Sequence, residues 1–310
     1  MNIVIYGTGG VGGYFGARLS QAGNNVTFIA RGKHLEAIQK NGLQLKSHKG
    51  DYLVKPANVS STITDIKNID LILVCVKTWQ LSEVAEKIKP VLTENTMVIS
   101  LLNGVENQDV LCSIIGKKHI LAGLCLVVSK VEDYGLINHL SYEPTIVFGE
   151  LNNEKTVRAL WLEKVFSEAN ITNKLAQNIQ IEIWMKFLYI TTVSAIGALT
   201  RATIGEMTAS EEIKIIMYKT AEEIVKIAKA KGIDLPDDCI EKQFQIINNQ
   251  PFSTTSSLQR DMMNGKPSEL DAQNGTIVKF GMELGIPTPT NSFIYNCLLP
   301  QEKRARGMKN

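Results

Sequence analysis

Net charge is nearly absent from this sequence: 33 lysines and arginines stand against 31 aspartates and glutamates, a formal balance of +2. That gives no whole-protein electrostatic case for nucleic acid or an anionic membrane, although a local basic site for a phosphorylated ligand stays open. Small-molecule partners are expected, and neither nucleic acid nor membrane. Cysteine is scarce as well. Cys75, Cys112, Cys125, Cys239 and Cys297 are scattered, odd in number and never spaced as CxxC, so neither a disulfide framework nor a zinc site is indicated, and no metal is expected. Most of them sit in apolar runs and read as small core residues. No stretch approaches the ~18 uncharged apolar residues of a membrane span. The opening apolar run, residues 3–6, lacks the basic flank, long apolar region and cleavage site of a signal peptide. A cytoplasmic, reducing setting follows as the expectation. There is no internal repeat and no low-complexity segment.

What is present is an ordinary globular composition, 44% hydrophobic and 21% charged, over 310 residues. That length exceeds what one hydrophobic core usually serves, so two domains are expected. Residues 2–6 form a short apolar run that turns abruptly into Gly7-Thr8-Gly9-Gly10-Val11-Gly12-Gly13, followed by a helical pattern over 14–21 and a β-rich run over 26–30. This strand, glycine turn, helix and strand make a unit of about 30 residues, as a dinucleotide fold requires. Residues 42–55 alternate as a hairpin. The uninterrupted apolar runs 71–76 and 97–101 suit strands of a parallel sheet buried on both faces. A helix near 81–89 stops before Pro90, another spans about 106–114, and the stretch 120–150 is rich in strands. Beyond it β patterning fades, and helical periods dominate at 155–168, 178–199, 210–231, 271–284 and 292–299. The expected architecture is an α/β Rossmann-type N-terminal domain, residues 1–175, and an all-α C-terminal domain, residues 176–310. The basic tail Lys303-Arg304-Ala305-Arg306 reads as a solvated end.

In the glycine turn, Gly7 permits the tight bend after the strand, Gly9 lets a pyrophosphate approach the backbone, and Gly12 lets helix and strand pack closely. Free N–H groups and the helix dipole attract the pyrophosphate there. A site for NAD usually carries an acidic residue after the second strand to hold the ribose 2′-hydroxyl, whereas a site for NADP needs a cation. This sequence has Arg31-Gly32-Lys33 in that place. Arg31 reads either as a grip on a 2′-phosphate through paired charge-assisted bonds or as a solvated loop arginine, and the missing acid favours NADPH. Ligands of open α/β sheets bind beyond the carboxyl ends of the strands. Lys77 and Asn103 follow two buried strands and so become candidates. Each has a plainer reading, Lys77 as a snorkelling surface lysine and Asn103 as the turn residue of an Asn-Gly pair.

Taken together, Gly7-Thr8-Gly9-Gly10-Val11-Gly12, Arg31-Gly32, Val76-Lys77-Thr78-Trp79-Gln80, Leu102-Asn103-Gly104-Val105, Ile183-Trp184-Met185-Lys186-Phe187, and Ser256-Ser257-Leu258-Gln259-Arg260-Asp261 through Ser268-Glu269-Leu270-Asp271 resemble the ketopantoate reductase (2-dehydropantoate 2-reductase) family in order and spacing across nearly the whole chain. The resemblance implies an NADPH-dependent oxidoreductase acting on CH–OH that reduces 2-dehydropantoate to pantoate for pantothenate biosynthesis. It implies that Gly7, Gly9, Gly12, Arg31, Lys77, Gln80 and Asn103 bind the cofactor. Lys186, Glu269 and Asn103 become the catalytic residues, and Asn103, Lys186, Ser257 and Glu269, with Ile190 and Ser194 on the face of Lys186, contact the substrate. A homodimer formed through the helical domain is compatible with it. Hydride transfer to a ketone builds alkoxide charge on oxygen, so a lysine that stabilises and then protonates it suits the chemistry. The plainer reading of Lys186 is a helix-surface lysine paired with Glu182 one turn earlier, and Ser257 could serve as a helix cap. One departure stands out. The family has asparagines four and eight residues after the lysine, where this sequence has Ile190 and Ser194. The loss of those amides points to a paralogous reductase of a less polar 2-oxo acid as the alternative. A nonenzymatic NADPH-binding regulator is the third reading.

Overall fold

A computed structural model describes residues 1–308 of the chain. The chain separates into two compact units. Met1–Leu102 and Glu106–Ile179 make the first; Asn103–Val105 join the residues from Gln180 onward to make the second. In chain order the first unit carries β1 (Asn2–Tyr6), α1 (Gly10–Gln21), β2 (Asn25–Ile29), α2 (Gly32–Asn41), β3 (Leu43–Ser47), β4 (Tyr52–Val54), β5 (Asn58–Ser60), β6 (Leu71–Val74), α3 (Leu81–Ile88), β7 (Met97–Ser100), α4 (Asn107–Ile115), β8 (Ile120–Asp133), β9 (Leu136–Glu150), α5 (Val157–Glu168) and β10 (Thr172–Leu175). After it come α6 (Ile179–Thr200), α7 (Ile204–Ala209), α8 (Glu211–Ala230), α9 (Cys239–Asn248), α10 (Ser257–Met263), a π-turn (Asp271–Gly275), α11 (Thr276–Leu284) and α12 (Pro289–Ala305).

The strands form one mixed sheet in the order β4-β3-β9-β8-β7-β6-β1-β2-β5, with β10 on β9. Its heart is parallel: β1 lies between β2 and β6, and β7 lies between β6 and β8. All residues of β6 and β7 are buried, as their unbroken apolar runs require of strands covered on both faces. One face packs Phe15, Leu19, Phe28 and Phe148; the other packs Val4, Ile72, Val84 and Leu111.

The sheet is curled rather than open. The strand-rich stretch expected at 120–150 is one long antiparallel hairpin, β8 with β9, whose register shifts three times. Such irregularities bend strands and raise their twist. The hairpin brings β3 and β4 round, so that α1 packs on β1 and β2 and also on β3, β4, β8 and β9.

In the helical unit α6 has the length and apolar composition of a membrane span, although Glu182 and Lys186 interrupt its uncharged run. In that window 67% of the residues are buried inside the protein, which marks it as a core helix. Three short helices, α7, α9 and α10, were not legible as helical periods. The helix expected at 292–299 continues through Pro300 to Ala305. The basic tail is therefore not a free end: Arg306 pairs with the buried Glu302 one turn earlier, 2.7 Å from Nε to Oε1.

Candidate active site

The first unit builds a turn suited to a dinucleotide. Gly7 takes φ +103, a conformation open to glycine and strained for other residues. A Cβ on Gly12 would stand 2.1 Å from the carbonyl oxygen of Gly7, so the crossing of α1 over β1 admits only hydrogen there. A Cβ on Gly9 would meet nothing within 4 Å. Packing thus explains Gly7 and Gly12 but not Gly9, which leaves open backbone at the start of α1. Gly9 caps that helix without a side-chain bond, leaving first-turn N–H groups for an anion. These features fit a pyrophosphate. Thr8 fastens the turn to β2, its amide and hydroxyl both donating to the carbonyl of Ile29 at 3.2 and 3.0 Å.

Arg31 follows β2 as the N-cap of α2 and is exposed, as is Lys33; the first turn of α2 holds no acidic residue. One carboxylate does lie within electrostatic reach. Glu83 on α3 is held below the usual carboxylate range mainly by its ion pair with Lys87, with a smaller pull from Arg31. That carboxylate is already engaged, so Arg31 keeps its charge for another anion. Lys77 starts a short 3₁₀ turn, and the side-chain carbonyl of Gln80 accepts the Lys77 amide at 3.2 Å. Gln80 therefore shapes the turn that presents Lys77.

The second unit brings two of the residues picked from sequence into contact. Asn103 Nδ2 donates to Glu269 Oε2 at 2.9 Å across 166 residues, and Glu269 is buried with 6% exposure. Lys186, Ile190 and Ser194 succeed one another at four-residue steps along α6, hence on one face; the first two are half-buried and Ser194 is buried. Ser257 is exposed at the first position of α10. It is not the cap: Ser256 fills that role, its hydroxyl accepting the Gln259 amide at 3.0 Å.

Sequence reading missed what holds Glu269 in place. Both carboxylate oxygens of Glu302 accept the Ser268 amide at 3.0 Å, and Oε2 takes the Ser268 hydroxyl at 2.6 Å. Arg306 donates to the Ser268 carbonyl at 2.8 Å. On the other side of Glu269, the Tyr295 hydroxyl donates to Asp271 at 2.8 Å; burial, then this carboxylate, push its pKa up to about 12. Between these anchors the backbone enters the π-turn, where Gly275 N–H reaches back to the Leu270 carbonyl at 3.1 Å, a geometry frequent at functional sites. The i,i+4 spacing of Glu302 and Arg306 is the one local signal that could have found their pairing. Its target, 34 residues earlier, left no local sign.

Residues 3–153 match the family described as ketopantoate reductase PanE/ApbA, and residues 178–302 match its C-terminal domain. A Bacillus subtilis protein described as uncharacterized oxidoreductase YkpB is 31% identical over 95% of this chain and 97% of its own length. A PanE/ApbA family ketopantoate reductase from Ralstonia eutropha JMP134 superposes with a TM-score of 0.91 at 31% identity, covering 99% of this chain and all of its own. The fold alone is shared with a D-mandelate dehydrogenase solved with NADH and anilino(oxo)acetate, at a TM-score of 0.89 and 22% identity over 99% of this chain and all of its own.

Proposed function

The chain belongs to the ketopantoate reductase family of oxidoreductases, and from that premise we propose that it reduces a 2-oxo acid to the 2-hydroxy acid with NADPH. The observation that carries this reading is the hydrogen bond between Asn103 and the buried Glu269. It joins two residues that a protein binding a nucleotide only to sense it would have no need to pair. The bound dihydronicotinamide supplies the hydride. On this reading Lys186 stabilises the charge growing on the ketone oxygen and delivers the proton, a contribution of ~10²–10⁴-fold to the rate. Glu269 accepts a hydrogen bond from the substrate or from the lysine while Asn103 fixes its carboxylate, and Ser257 binds a polar group of the substrate. Arg31 supports NADPH over NADH, because a guanidinium free to bind a 2′-phosphate stands where an NAD site would carry an acid. With ketopantoate as substrate the product is pantoate, and the role is cytoplasmic pantothenate biosynthesis. The test is NADPH consumption against a panel of 2-oxo acids that includes ketopantoate, with Lys186→Ala as control. Turnover should be lost in the variant while NADPH still binds; turnover within a few-fold of the parent would place the proton donor elsewhere, and no turnover on any acid would favour a binding protein.

Ile190 and Ser194 favour a second, narrower reading of the substrate. They put an apolar and a small group where the resemblance calls for amides. An apolar wall separates substrates by only ~1–3 kcal/mol per methylene, so selectivity should be broad and shifted toward alkyl 2-oxo acids lacking the hydroxyl of ketopantoate. Restoring the amide with Ile190→Asn should raise kcat/KM for ketopantoate relative to the best such competitor. If ketopantoate already leads the parent's panel, or the ratio stays put, ketopantoate reduction is the better answer.

A further inference from the structure

His34, in the first turn of α2, has no part in the chemistry above, yet its ring joins two segments that meet nowhere in sequence. Its Nε2 lies 2.8 Å from the carbonyl oxygen of Thr8, inside the glycine turn. Its Nδ1 lies 3.0 Å from the amide nitrogen of Gly135, at the tip of the β8 and β9 hairpin. An amide can only donate, so Nδ1 carries the lone pair, and the ring proton sits on Nε2 and points at Thr8. Both bonds hold together only in this neutral tautomer. The Gly135 end is a firm post, because its own carbonyl accepts the Gln44 amide at 2.8 Å and fixes the tip to β3.

We propose that neutral His34 is a positioning residue of the dinucleotide site, clamping the glycine turn to the hairpin tip, and that its protonation loosens the turn and weakens dinucleotide binding. The inference rests on the reading of that turn as a pyrophosphate site. A second ring proton would face the Gly135 N–H, donor against donor, and the ring could no longer serve both partners. Burial already holds the imidazole below its ordinary pKa, with the Thr8 bond pulling the other way. The charged and titratable side chains near it are Arg31 at the cap of α2, Lys33, Glu36 and Lys40 on that helix, Lys46 on β3, and Lys130, Glu132, Asp133 and Tyr134 toward the hairpin tip; β5, on which α2 packs, carries no charge. Of the charged residues nearest in sequence, Lys33 and Arg31 oppose a further positive charge and Glu36 favours it. A bound pyrophosphate would favour it, so the direction of the pH response decides between clamp and simple charge attraction.

The test is calorimetric titration of NADP⁺ into the full chain at about pH 7.5 and about pH 5.5, which bracket an imidazole's titration. Parent, His34→Gln and His34→Leu are compared. Titration of the ligand's own phosphate is common to all three and cancels in the ratios. Glutamine keeps a donor for the Thr8 carbonyl without titrating, and should bind within about twofold of the parent at the higher pH. Leucine removes the bond and should weaken binding about three- to tenfold. Acid should weaken the parent at least about threefold more than it weakens His34→Gln. The proposal is overturned if leucine binds like the parent, or if parent and glutamine variant respond alike to acid, or if the parent tightens in acid relative to it. Should His34→Leu fail to fold, the two pH responses of parent and His34→Gln still decide. A parent that binds no NADP⁺ at the higher pH would overturn the pyrophosphate reading and the clamp with it, whereas binding with unmoved ratios removes the clamp alone.

Discussion

A methyl group added at Gly12 would collide with the Gly7 carbonyl, and the same group at Gly9 would enter open space. The two alanine substitutions should therefore fail in different ways. Gly12→Ala forces α1 off β1 and should lower unfolding stability by ~1–3 kcal/mol, the usual range of overpacking. Gly9→Ala should stay within about 0.5 kcal/mol of the parent, as a change without packing consequence does, yet bind NADP⁺ more weakly because the methyl occupies the approach to the backbone. Urea unfolding and calorimetry separate the two, and a Gly9→Ala protein with undiminished binding would remove the pyrophosphate from this turn. At the same scale, Arg31→Ala should weaken NADPH by about ten- to a hundredfold through loss of a charge-assisted contact of ~1.5–3 kcal/mol. NADH binding should be untouched. If the NADPH dissociation constant does not move, the grip on the 2′-phosphate is not made by Arg31.

Helix α12 acts as a splint for the Glu269 segment. A proline inside a helix costs a hydrogen bond, and yet α12 continues past Pro300, because its last turn is tied down by Glu302, 1% exposed, through Ser268 and Arg306. Glu302→Ala would take away the buried carboxylate that Arg306 pairs with and the acceptor of the Ser268 amide and hydroxyl, at a cost of ~3–5 kcal/mol if the pair behaves as buried pairs do. The milder Glu302→Gln keeps an acceptor for Ser268 while weakening the bond to Arg306. It should fold, and its kcat/KM on the best 2-oxo acid should fall, by as much as about a hundredfold if Glu269 shifts by an ångström. A folded Glu302→Gln enzyme with parental kcat/KM would show that α12 supports the fold and not the site.

For the molecule as a whole, acid sensitivity should centre on two histidines of the first unit. His34 and His139 are both held below their ordinary pKa of 6.5, burial being the larger cause in each. The His139 ring is engaged at both nitrogens, with Ser47 at 2.9 Å and the carbonyls of Ser141 and Tyr142 at 3.0 and 2.9 Å. The unfolded chain binds the proton more readily than the folded one, so stability is full above about pH 6.5 and declines as pH falls from there through the lowered folded values. Burial pushes the Glu150 carboxyl up, but the bonds from Arg158 and Thr156 and the Arg158 charge together hold it below its ordinary value, which adds a loss at still lower pH. Thermal unfolding across this range should show the midpoint falling below about pH 6.5, with the two histidine resonances titrating late. A midpoint unchanged down to about pH 5.5 would contradict it.

The sequence by itself determined what depends on neighbours along the chain. Gly7, Gly9 and Gly12 declared a turn because their spacing matches one helical turn after a strand; Arg31 declared a cation because no acid stands beside it; the unbroken runs at β6 and β7 declared strands buried on both faces. The period of α6 put Lys186, Ile190 and Ser194 on one face, while the family resemblance is what singled them out. Tertiary structure decided the rest, because the partners are remote. Asn103 and Glu269 meet across 166 residues, and Gly135 lies 101 residues from His34. The curl of the sheet comes from bulges in β8 and β9 that no alternation of apolar residues encodes. A hydrogen bond between distant residues leaves no periodic trace, since either partner alone reads as an ordinary polar side chain. Only the folded path of the backbone brings the two within 3 Å.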